Sequence, residues 1–65
     1  MMITVNGQSE TIQPCKLGAF IQARGLNTNA LVVEYNQQIV QQARWDDIEL
    51  RENDTLELLS FVGGG

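Results

Sequence analysis

The 65-residue sequence predicts an α+β domain in which a mixed sheet of four to five strands packs on one main helix. Three observations predict it. Asn6-Gly7 stands between two short alternating segments, the strongest short-range hairpin signal. Leu17, Phe20 and Ile21 recur at helical spacing and are followed by Gly25. Two apolar, partly β-branched runs at 30–35 and 55–61 come after that helix, each preceded by polar turn residues.

Each element has its own reason. Ile3, Thr4 and Val5 alternate in character, and residues 8–12 form the returning strand, with Ile3, Val5 and Ile12 as its core residues. Pro14 punctuates the chain before a helix at 17–24. That helix is weak by itself: Gly18 costs roughly 1 kcal/mol relative to Ala, and Lys16 is a poor N-cap, so burial of the apolar face must hold it. Asn27-Thr28-Asn29 is a loop, residues 30–35 a strand, and Asn36-Gln37-Gln38 a turn into a short Ile39-Val40 strand. Arg44-Trp45-Asp46-Asp47 reads as a helical turn, with Trp45 a semi-buried anchor and Ile48 and Leu50 anchors under a loop. Tyr35, at a strand end, reads as a surface or edge residue. Arg51-Glu52-Asn53-Asp54 is a polar turn in which Asn53 takes positive φ before the last strand at 55–61. Alternation puts Leu56 and Leu58 on the core face and Leu59 and Phe61 on the other. Hairpin, helix, strand, short strand, strand, with the closing strand lying centrally beside the first, is a β-grasp arrangement. The domain covers residues 1–62 and a glycine tail covers 63–65.

Size and charge exclude several functions. A chain this short has a stability margin on the order of 3–10 kcal/mol, too little to sacrifice to a deep enclosed active site. The net charge is −4 and the four basic residues, Lys16, Arg24, Arg44 and Arg51, are scattered. Nucleic-acid and anionic-membrane binding are therefore disfavoured, while a partner with a basic docking surface suits the charge. One cysteine makes no internal disulfide, no signal segment opens the chain, and no apolar run is long enough to span a membrane, so a cytoplasmic protein is expected. The chain has no histidine, which removes the commonest general base and metal ligand and argues against a stand-alone enzyme.

The most informative feature is Gly63-Gly64-Gly65. Glycines after a strand bury nothing and are costly to order. Extended, they reach about 10 Å at roughly 3.3–3.6 Å per residue, and without Cβ atoms they fit a narrow channel in another protein. The terminal carboxylate would then sit in that partner's active site. It is a poor acyl electrophile until activated, for example as an acyl adenylate, so the chemistry belongs to the partner. The plain alternative is a frayed tail.

The opening ITVNG at 3–7, VVEYNQQIV at 32–40, Trp45, and above all the ending DTLELLSFVGGG at 54–65 resemble the ThiS family, the sulfur carriers of thiamine biosynthesis, which have a ubiquitin-like β-grasp fold. The resemblance covers nearly the whole chain. It implies that the terminal glycine is adenylated by an activating enzyme using ATP and magnesium. Sulfur from a cysteine-desulfurase relay then replaces one oxygen, and thiazole synthase takes sulfur from the resulting thiocarboxylate. Carried over, Gly65 is the acylated and thiocarboxylated residue, Gly64 its small neighbour and Gly63 an extension of the tether. The chain departs from the family in having Asn53 where Gly is frequent, and Gln41-Gln42 where a Pro is common. The resemblance also implies no bound cofactor of the carrier's own.

Leu59 and Phe61, with Val62, form a candidate docking patch beside the tail, the alternative being partial cover by the adjoining strand or loop. The family resemblance favours docking. Cys15 invites a persulfide reading but is better taken as a small apolar filler. Six of the eight acids, from Asp46 to Glu57, read as a solvated acidic surface; Asp46, Asp47 and Glu49 lack calcium-loop spacing, so no metal site is expected. The other readings are the small subunit of molybdopterin synthase or a carrier for another sulfur acceptor, a ubiquitin-like modifier, and a plain interaction module on this fold.

Overall fold

The computed structural model describes residues 1–61. Strands β1 (Met2–Val5) and β2 (Gln8–Thr11) form the expected antiparallel hairpin. Asn6 at φ 50° and Gly7 at φ 82° supply the two positive angles of a type I′ turn. Ile3 and Val5 are buried, whereas Ile12, beyond the strand, is only partly buried against the core.

Helix α1 (Leu17–Ala23) buries Leu17, Phe20 and Ile21, and stops where Gly25 takes φ 71°. Lys16 gives no side-chain cap, as its type suggests. A backbone segment replaces it. Leu17 N–H donates to the Ile48 carbonyl at 2.8 Å, and Leu50 N–H to the Cys15 carbonyl at 3.0 Å. Lys16 and Glu49 thereby pair as an antiparallel bridge, and one orphan donor of the helix start is satisfied. Gly18 lies where the helix meets the distant segment Gln42–Asp47: a Cβ there would strike the Asp46 carboxylate.

A 3-10 turn, Thr28–Ala30, occupies the expected loop, begun by the Asn27 side chain accepting from Asn29 N–H at 3.1 Å. It leads into β3 (Leu31–Tyr35) and β4 (Gln38–Val40). The turn between them is one residue tighter than the sequence suggests, since Gln38 already pairs with Tyr35. Asn36 at φ 49° and Gln37 at φ 73° make a second type I′ turn. Gln37 adopts a conformation normally left to glycine, which is why the turn carries a weak signal. A second 3-10 segment, Gln42–Asp47, buries Trp45, whose Nε1 donates to the Val40 carbonyl at 3.0 Å. Leu50 is buried and Ile48 partly so.

The final strand, β5 (Thr55–Ser60), enters the middle of the sheet, whose order is β2-β1-β5-β3-β4. It runs parallel to β1 and antiparallel to β3. Ile3, Val5, Leu17, Phe20, Ile21, Val33, Trp45, Leu50 and Leu56 close into one core between helix and sheet. This is the β-grasp arrangement the element order predicts.

Candidate functional site

Strand β5 leads to the C-terminal residues, so the site is built around it. Its entry is fixed by Asp54, buried at 7% exposure. The Asp54 carboxylate accepts the Arg51 N–H at 2.7 Å and the Tyr35 hydroxyl at 2.8 Å on Oδ2, and the Asn36 side-chain amide at 3.1 Å on Oδ1. A buried carboxylate with this many donors is satisfied, and none of the buried side-chain polar atoms among the described residues lacks a partner. Asn36 also accepts from Thr55 N–H at 2.8 Å. Burial, then the hydrogen bond to Asp54 and the Asp54 charge, push the Tyr35 hydroxyl above its ordinary pKa, while Arg51 pulls the other way.

Two expectations are corrected here. Tyr35 is not a plain surface residue but half-buried in this network, and Asp54 belongs to the core rather than to a solvated acidic face. The position of Asp54, directly after the positive-φ Asn53 and before a strand, was the available signal.

Toward its exit β5 alternates as expected. Leu56 is fully buried and Leu58 partly buried on the helix side. Leu59 and Phe61 remain 57% and 54% exposed on the opposite side, so the adjoining strand leaves both largely open. Leu59 lies across from Val32, and Glu57 across from Glu34, placing two carboxylates beside the apolar pair on the open sheet face. Val62, Gly63, Gly64 and Gly65 lie outside the described residues, as does the boundary between domain and tail.

Other candidates gather no site. Cys15 is half-buried and packs on the core. Among the described residues no group of three or more His, Cys, Asp or Glu is placed to hold a metal ion. A depression of about 500 Å³ lined by Tyr35, Ile39, Val40 and Ile48 sits beside the entry of β5, at the end opposite Phe61. No helix among the described residues is long and apolar enough to cross a membrane.

The family model described as the ThiS family matches residues 3–65. The chain belongs to the ThiS family. Its relatives agree with that membership. The sulfur carrier protein ThiS of Bacillus subtilis is 38% identical over 40 residues, 62% of this chain and 61% of that protein, so the matched stretch spans under two thirds of the relative. A thiazole synthase of Paramagnetospirillum magneticum is 26% identical over 66 residues, all of this chain but 20% of that protein. The crystal structure of the thiamine biosynthesis protein ThiS from Geobacter metallireducens superposes with a TM-score of 0.85 at 26% identity, covering 100% of both chains. The ThiS fold and the β-grasp reading of the sequence thus coincide.

Proposed function

We propose that this ThiS-family chain is the sulfur carrier of thiamine biosynthesis and that its working atoms are those of the Gly65 carboxylate. The observation that carries the proposal is the family match through residue 65, in a chain whose central strand leads to Gly63-Gly64-Gly65.

An activating enzyme spends ATP with magnesium to form an acyl adenylate on Gly65, releasing pyrophosphate. Sulfur supplied by a cysteine desulfurase displaces AMP, so that one carboxylate oxygen is exchanged for sulfur. If the sulfur arrives as a persulfide, two electrons from a thiol cleave the intermediate acyl disulfide. Thiazole synthase is the acceptor, a placement supported by the thiazole synthase that holds a stretch similar to this whole chain. Leu59 and Phe61, with Val62, form the docking patch, and Glu34 and Glu57 beside them suit a basic rim on the enzyme. A carrier serving such enzymes works in the cytoplasm.

The test is intact-protein mass spectrometry after incubation with the activating enzyme, Mg-ATP and a sulfur donor. A mass gain equal to one oxygen replaced by sulfur, mapped to Gly65, is the expected result. Deleting Gly65, or adding a residue after it, abolishes the gain while the fold persists. Retained loading in either variant refutes the assignment.

A further inference from the structure

The ladder between β1 and β5 is short, pairing Thr4 with Thr55 and Val5 with Leu56. Its backbone bonds include Thr4 N–H to the Asp54 carbonyl and Asn6 N–H to the Leu56 carbonyl, both at 2.9 Å. The next bond of a parallel ladder would run from Leu58 N–H to the Asn6 carbonyl. Asn6, at φ 50°, has already turned into the hairpin and no longer continues the strand. Its side chain takes the vacated place. Oδ1 accepts Leu58 N–H at 2.7 Å, a short bond, and Nδ2 faces the Leu58 carbonyl at 3.4 Å, at the weak limit.

A turn at this position needs no carboxamide; glycine would satisfy the φ equally well. The second hairpin also turns on an asparagine, but Asn36 bonds Thr55, at the entry of β5. Asn6 acts at the exit. On the other edge β3 holds β5 as far as Ser60, and Phe61 N–H reaches the Ala30 carbonyl at 2.7 Å. Leu58 is accordingly the last residue bonded on the β1 side among the described residues, and without Asn6 the exit would hang from β3 alone.

We propose that Asn6 is a positioning residue for C-terminal transfer: its carboxamide extends the β1 edge by one register step and fixes the direction in which β5 delivers the C-terminus to the activating enzyme. The proposal rests on the carrier reading above. Fixing direction before docking removes orientational freedom that would otherwise be lost on binding. The reacting carboxylate is on Gly65, seven positions beyond Leu58 (65 − 58), so Asn6 acts on delivery and not on the reaction itself.

The test compares the unaltered chain with Asn6→Gly and Asn6→Asp. Asn6→Gly keeps the positive φ and loses the amide; Asn6→Asp keeps the oxygen that accepts Leu58 N–H. Amide exchange by NMR and steady-state adenylation are measured on all three. In Asn6→Gly, Leu58 exchange rises about fivefold relative to Leu56, the weight of one net hydrogen bond. The KM for the carrier rises by a similar factor, about fivefold, while kcat is unchanged. Asn6→Asp restores both. The inference is overturned if Leu58 protection is unchanged in Asn6→Gly, or if it falls with no change in KM. It is also overturned if Asn6→Asp keeps Leu58 protected yet binds as weakly as Asn6→Gly. Failure of the unaltered chain to be adenylated at all sinks the carrier reading instead, and the Leu58 exchange rates still show whether the clamp exists.

Discussion

Removing one oxygen atom, by Tyr35→Phe, isolates the network at the entry of β5. The hydroxyl donates to the buried Asp54 carboxylate at 2.8 Å, leaving that carboxylate the Arg51 N–H and the Asn36 amide as its other donors. A hydrogen bond to a charged acceptor contributes about 1.5–3 kcal/mol. Asp54 retains two donors and Tyr35 is only half-buried, so the lower part of that range applies, about 1.5–2 kcal/mol. Urea denaturation at neutral pH followed by tryptophan fluorescence measures it directly, since Trp45 is buried in the core. The pH dependence gives a second reading. The folded-state pKa of Tyr35 is raised above 10.0, so folding favours the neutral phenol. Its contribution is fully present below the unfolded pKa and is lost as pH rises through the folded one. The stability difference between the unaltered chain and Tyr35→Phe therefore stays constant at neutral pH and shrinks above about pH 10. Equal stability of the two at pH 7, or a difference that does not shrink in alkali, refutes the role given to the hydroxyl.

Phe61→Asp leaves the melting temperature nearly unchanged, because the ring is 54% exposed, and weakens binding to the activating enzyme about 10–100-fold in a titration. A core-like loss of stability with docking intact in the folded fraction would remove the patch. Gln37→Gly raises stability by about 0.5–1 kcal/mol in chemical denaturation, because φ 73° strains any residue with a Cβ; a destabilised variant would show that the Gln37 side chain holds the turn.

What the sequence disclosed follows from the range of the forces involved. Asn6-Gly7, the Leu17-Phe20-Ile21 stripe and Gly25 are local signals, and each marks the element it announces. The exposure of Leu59 and Phe61 was legible too, because alternation is fixed by the backbone once Leu56 is assigned inward. The burial of Tyr35 and Asp54 is not legible in the sequence, because their environment is made by residues 19 positions apart, which no local pattern encodes. The start of α1 is only partly legible for the same reason: its donor is satisfied by the backbone carbonyl of Ile48, distant in sequence. Asn6 is legible as a turn former, while its second task depends on Leu58, 52 residues later in the chain.

The sheet order has a consequence for how the molecule comes into being. The β1–β2 and β3–β4 hairpins share no ladder; β5 lies between them and pairs with both. Without residues 55–60 the two hairpins have no common neighbour, and the sheet cannot close. Closing them requires contacts spanning most of the chain, which makes that step slow compared with forming either hairpin. A fragment lacking β5 would leave one edge of β1 and one edge of β3 unpaired, and open edges of that kind are templates for pairing with other chains.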